Sequence, residues 1–163
     1  MKYFLIVLAL CANLLTNLNG EEVDVDIKSD NFSADKSKNI IIFTGKVSMF
    51  KGEDKLYCDK LTVHTKLAEG TGKTVVKQYY AVGKVDMVIK RPTTVMKGRG
   101  DEVTYNVDEQ VYIIIGNGYL EDVVGQKIIK GEKIYLDEKV GTTKIDGAKN
   151  KPVQFKLKIE SNS

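Results

Sequence analysis

The stretches most suggestive of chemistry are two glycine-rich runs and one cysteine–histidine pair. Glu69-Gly70-Thr71-Gly72-Lys73-Thr74 ends like a phosphate-binding loop, in which backbone N–H groups and a lysine would cradle the phosphates of a nucleotide. That motif requires a glycine five residues before Gly72, where Leu67 stands, and no helical pattern follows, so the run reads as a polar turn. Gly116-Asn117-Gly118 opens like a dinucleotide fingerprint, but Glu121 occupies the place of its third glycine. Cys58 and His64 share one strand parity, and two ligands do not make a zinc site in a chain with a single histidine. Asp24, Asp26, Asp30 and Asp35 are spread along a strand and a turn rather than gathered into a calcium loop. Asn31-Phe32-Ser33 matches a glycosylation acceptor, a signal worth little unless the host secretory pathway glycosylates. This inventory points away from enzymes, and no metal or cofactor is expected.

Composition agrees with a folded binding or structural protein. The chain has 163 residues, 42% of them apolar, with 25 basic against 22 acidic side chains for a net charge of +3. That length suits one domain, and the charge balance is too even for a disordered tail. No nucleic-acid partner is expected.

The first twenty residues differ from the rest. Met1 and Lys2 lead into a run from Tyr3 to Leu15 that is apolar except for Asn13. This reads as a secretory signal peptide over residues 1–20, cleaved after Gly20, because a run of about thirteen falls short of the roughly twenty residues that span a bilayer. Residues 21–163 then form the mature domain. One cysteine remains there, Cys58, so no intramolecular disulfide can form, and a small, partly buried strand residue is the expectation.

The elements that must position any site are strands. Val23-Asp24-Val25-Asp26-Ile27, Gly83-Lys84-Val85-Asp86-Met87-Val88-Ile89 and Val153-Gln154-Phe155-Lys156-Leu157-Lys158-Ile159 alternate apolar and polar residues, the signature of a strand with one buried face. Recurrent glycines cut the chain into segments too short for most helices, and Val, Ile, Thr and Tyr dominate the runs. The chain is expected to be all-β.

A weak internal repeat adds more. Phe43-Thr44-Gly45-Lys46-Val47, Ala81-Val82-Gly83-Lys84-Val85 and Ile114-Ile115-Gly116-Asn117-Gly118 each set a glycine inside an apolar run, 38 and then 33 residues apart. Each is followed by a second signature, Asp59-Lys60-Leu61-Thr62-Val63, Asp101-Glu102-Val103-Thr104-Tyr105 and Glu132-Lys133-Ile134-Tyr135-Leu136. The repeat reads as stacked pairs of strands rather than a closed barrel. Glycine inside a strand marks a bulge or bend that would let each strand fold over a narrow interior.

Strand parity then sorts the apolar residues. Phe43, Val47 and Met49 share a face with Gly45, and Val85, Met87 and Ile89 share one with Gly83. Leu61, Val63, Val103, Tyr105, Val107, Ile134 and Leu136 form a matching face on the second strands, with Leu120 added from the third unit. Two such faces opposed could be the core of a sandwich or a shared interior for lipid.

The ordered set of Ile27-Lys28-Ser29-Asp30, Phe43-Thr44-Gly45-Lys46-Val47, Gly100-Asp101-Glu102-Val103-Thr104-Tyr105 and Lys130-Gly131-Glu132-Lys133-Ile134-Tyr135-Leu136 resembles the OstA-like family of lipopolysaccharide-transport proteins, from about Val25 to Gly147. The resemblance implies an open-ended β-jellyroll of stacked V-shaped antiparallel strands, located in the periplasm. It implies head-to-tail stacking with itself and with related β-jellyroll domains of an inner-membrane tether and an outer-membrane translocon. It also implies a groove that carries lipopolysaccharide between the membranes, with lipid A acyl chains inside. Carried over by resemblance, lipid-contacting positions fall at Val25 and Ile27 and at Tyr105 and Val107, with Met87 or Val88 beside them.

Lysines at the rim, such as Lys84, Lys97, Lys130 or Lys144, could meet lipid phosphates, although such lysines more often belong to a solvated face. Edge strands near Val25 and Phe155 would expose unpaired backbone groups and favour assembly. Two alternatives to a soluble bridge are a membrane-tethered OstA-like component and a structural β-repeat protein of the envelope.

Overall fold

The computed structural model describes residues 23–161, and the signal-peptide segment 1–20 lies outside them. Ten strands follow the alternating runs in chain order: β1 Val25–Lys28, β2 Asn31–Asp35, β3 Ile40–Lys51, β4 Asp54–Leu67, β5 Thr74–Arg91, β6 Thr94–Asn106, β7 Val111–Asp122, β8 Lys127–Asp137, β9 Thr142–Asp146 and β10 Gln154–Leu157. No helix forms among the described residues. Tight connections make neighbours in sequence neighbours in space. Gly52-Glu53 joins β3 to β4, and Pro92-Thr93 joins β5 to β6. The Glu69–Lys73 run is the turn before β5, closed by Ala68 N–H donating to the Lys73 carbonyl at 2.8 Å.

All pairings are antiparallel in one sheet of order β1-β3-β4-β5-β6-β7-β8-β10. The short β2 pairs the first half of β3 while β1 pairs its second half, and β9 and β10 divide β8 in the same way. The sheet therefore never closes, and β1 with β2 and β9 with β10 are its two edges.

Each long strand is interrupted in its middle. The register shifts between Thr44 and Val47 in β3, Val82 and Val85 in β5, and Ile115 and Gly118 in β7, so two residues face one on the partner strand. At each shift the backbone is left-handed for two residues in a row: Gly45 and Lys46, Gly83 and Lys84, Gly116 and Asn117, with φ between 48° and 86°. Glycine takes that conformation without strain, and the bulge bends the strand. Because the bulges lie in register across the sheet, one fold line runs across all the long strands. It divides the sheet into two arms, one holding β1, β10 and the residues near Met49, Met87 and Leu120, the other holding β2, β9 and the residues near Leu61, Val103 and Ile134.

The sequence reading set the first strands of each repeat against the second strands. Instead, the opposed faces are the two halves of the same strands, because every long strand crosses the fold line. Parity survives the bend on the bulged strands β3, β5 and β7, whereas on β4, β6 and β8 it shifts by one residue at the fold line, so that on β4 Leu56 and Cys58 are buried on one side of the bend and Leu61 and Val63 on the other.

Candidate functional site: an apolar interior open at both edges

Alternation along each strand, combined with antiparallel register, arranges the inward side chains in rows that run from edge to edge. In the first arm the row reads Ile27, Met49, Leu56, Met87, Gly98, Leu120, Ile129 and Phe155. In the second arm, one row reads Phe32, Phe43, Leu61, Ala81, Val103, Ile114, Ile134 and Ile145. The next row outward reads Ala34, Ile41, Val63, Tyr79, Tyr105, Tyr112, Leu136 and Thr143. Cross-strand neighbours on one face sit about 5 Å apart, so each row is a nearly unbroken apolar stripe.

Of the fifteen expected lining residues, all but Val25 lie in this apolar cluster or pack against it. Val47, Leu61, Val63, Val85, Met87, Val103, Leu120, Ile134 and Leu136 are buried members of one cluster, and Ile27, Phe43, Met49, Tyr105 and Val107 pack against it partly exposed. Burial falls toward the edges. Val25 on β1 is 43% exposed and Phe155 on β10 is 60% exposed, while Leu61, Ile114 and Ile134 at the centre are fully buried. Sequence reasoning passed over Leu56, Ile114 and Ile129, which cross-strand register places in the same rows, and Tyr79 and Tyr112, which flank Tyr105.

Those tyrosines form a stack, with ring centroids 6.5 Å apart for Tyr79 and Tyr105 and 4.1 Å for Tyr105 and Tyr112. Burial raises the pKa of all three above the usual phenol value, and for Tyr105 and Tyr112 the negative field of Glu138 adds to it. Opposite them stand Met49, Leu56, Met87 and Ile89 of the other arm, leaving a cavity of about 70 Å³. Cys58 is buried beside this interior. Desolvation, with the Asp59 carboxylate adding, lifts its thiol pKa to about 11, and it is held in the neutral form.

At the mouth, where the free ends of the arms meet, stands Arg91. One guanidinium nitrogen donates to both carboxylate oxygens of Asp54 at 3.2 and 3.1 Å, and the other donates to Glu138 at 3.1 Å. Burial disfavours the charge of Arg91, but the hydrogen bond and field of Glu138, with Asp54 adding, hold its pKa above the ordinary value. The cluster escaped sequence reading because its partners lie 37 and 47 residues away. The lysines expected at the rim are elsewhere. Lys84 occupies a bulge on the fold line, whereas Lys97, Lys130 and Lys144 alternate with inward residues and so lie on the outer faces. Among the described residues no three His, Cys, Asp or Glu side chains gather as a metal site, and no helix is long and apolar enough to cross a membrane.

A family model described as "LptA/(LptD N-terminal domain) LPS transport protein" matches residues 26–142. The chain belongs to this family. Among curated members, the lipopolysaccharide export system proteins LptA of Escherichia coli K12 and of Shigella flexneri are each 30% identical to it over 110 residues, which cover 68% of this chain and 57% of theirs. The match therefore spans little more than half the length of these relatives. A crystal structure of LptH from Pseudomonas aeruginosa, described as the LptA-homologous periplasmic component of the conserved lipopolysaccharide transport device, superposes with a TM-score of 0.70 at 17% identity, covering 83% of this chain and 96% of that one. The fold found here is thus shared with LptH.

Proposed function

We propose that the chain binds lipopolysaccharide by taking lipid A acyl chains between its two arms, and that it bridges the inner and outer membranes in lipopolysaccharide transport without catalysing a reaction. The observation that carries this reading is the set of apolar rows running from one sheet edge to the other, with Val25 and Phe155 left exposed at the ends. Each methylene exposed to water costs about 0.8 kcal/mol, so several acyl chains crossing an aqueous compartment need an uninterrupted lining. A row that reaches both edges can continue into a neighbouring molecule. A closed pocket could not.

The residues proposed to touch lipid are Val25, Ile27, Phe43, Met49, Met87, Tyr105 and Val107, which combine inward orientation with partial exposure or a place on the cavity wall. The fully buried Leu61 and Ile134 hold the arms in shape beneath them. The unpaired edges at β1 with β2 and β9 with β10 support head-to-tail stacking, with further copies and with similar domains of an inner-membrane tether and an outer-membrane translocon. The family to which the chain belongs and the leader-like residues 1–20 support a periplasmic location, with residues 21–163 as the mature domain.

The test is a photo-crosslinking amino acid placed in cells at Tyr105 or Ile27, with Lys97 on the outer face as control. Label transfer to lipopolysaccharide from the two inward positions and not from Lys97 is expected. No transfer from either inward position would favour a structural envelope protein. N-terminal sequencing separates the soluble bridge, which begins at Glu21, from a membrane-tethered component that keeps Met1 or Lys2.

A further inference from the structure

The two arms are joined covalently at the fold line and by apolar packing within, but at the mouth the means of holding them together are few. Lys66 with Asp108 lies within one arm, and Lys90 with Glu53, Arg91 with Asp54 and Arg99 with Asp86 lie within the other. Among the described residues, the one side-chain hydrogen bond or ion pair that crosses from arm to arm is Arg91 with Glu138. Arg91 ends β5 at the tip of the first arm, and Glu138 follows β8 at the tip of the second.

The cavity behind this pair is small. At about 10–15 Å³ of such space for each water molecule, its 70 Å³ has room for a handful of waters. Acyl chains do not fit in such a space, so loading requires the arms to part. Resting on the lipid-groove reading above, we propose that the Arg91–Glu138 pair is the latch of the groove: it holds the tips together when the interior is empty, and its release admits acyl chains.

Three features suit Arg91 to that task. Asp54 grips one guanidinium nitrogen from within its own arm, so the side chain stays aimed across the mouth whether or not Glu138 is engaged. The side chains of Arg91 and Glu138 are 34% and 19% exposed, accessible enough for water to take over when the pair parts. Tyr105 and Leu136 stand directly inside, so a parting of a few ångströms uncovers aromatic and aliphatic surface rather than more charge.

The experiment places spin labels at Thr93 and Lys139, exposed positions on the two tips, in the full mature chain, and compares wild type with Glu138→Gln and Arg91→Met. A narrow distance distribution in wild type, broadened toward longer distances in both variants, is expected. Asp54→Asn, which spares the cross-arm pair, should broaden it less. The association rate of rough lipopolysaccharide, read from tyrosine fluorescence in this tryptophan-free chain, should rise about two- to fivefold in Glu138→Gln, the range for a partly exposed ion pair. Raising salt from 0.05 to 1 M should broaden the wild-type distances, a readout that needs no variant to fold well, and should leave those of Glu138→Gln unchanged. Distances unmoved by both substitutions and by salt would overturn the latch while leaving the groove intact. Tips that part without faster association would overturn its gating role. Failure of wild type to bind lipopolysaccharide at all would sink the groove reading itself.

Discussion

The carboxylate of Asp59 on β4 lies against the Cα of Gly83 on β5, and the same relation joins Asp30 to Gly45 and Asp101 to Gly116. The two repeated signatures of the sequence are thus two halves of one device. A glycine-led bulge bends one strand, and an acidic residue on its neighbour fills the space where a side chain would be. A Cβ at Gly83 would come within 2.8 Å of the Asp59 Cβ, in a backbone with φ of +86°. Gly83→Ala should therefore cost about 2–4 kcal/mol in urea unfolding, combining left-handed strain with the clash. Gly141→Ala, at φ +77° in open space, should cost about 1 kcal/mol. Equal costs would show that Asp59 imposes nothing on the bend.

Leu61 and Ile134 stand in one inward row of the second arm and are fully buried. Ile134→Ala should lower unfolding free energy by about 2–5 kcal/mol, the range for large-to-small core substitutions. Phe155→Ser at the edge, 60% exposed, should stay within about 0.5 kcal/mol of wild type. A comparable loss at both positions would mean that the edge is packed as tightly as the centre.

Phe155 and Val25 should matter for assembly instead. Light scattering behind a sizing column is expected to show mean mass rising with protein concentration, because both sheet edges offer unpaired backbone and apolar side chains. Phe155→Asp should hold the protein at monomer mass over the same range. A wild-type mass independent of concentration would refute self-association through these edges.

Cys58 carries a pH signature. Its pKa rises from 9.0 to about 11 on folding, so the folded state favours the neutral thiol more than the unfolded chain does. The resulting stability is fully present below pH 9 and is lost as pH climbs through 11. Unfolding free energy should fall across that window, and Cys58→Ala should remove this part of the fall. At pH 8 iodoacetamide should label the folded thiol at least tenfold more slowly than the unfolded one.

Much of this molecule was legible in the order of its residues. Alternation within each half-strand told which side chains share a face, and fourteen of the fifteen expected lining residues lie in or against the apolar cluster, with Val25 exposed at the edge. The in-strand glycines marked the places where strands bend, because an uninterrupted strand has no use for a residue without a side chain. These are local properties, determined by covalent geometry and by the two-residue period of extended backbone. Which faces oppose each other depended on bulges on successive strands falling into one line, and that follows from register across the whole sheet. The Arg91 cluster depended on it as well. Its partners meet because hairpin turns far apart in the chain come to the tips of two arms, a proximity that no short-range pattern encodes. The exposed positions of Lys84, Lys97, Lys130 and Lys144 arise in the same way: a charge can be read from sequence, but the side of a folded sheet on which it stands is decided only when the sheet bends.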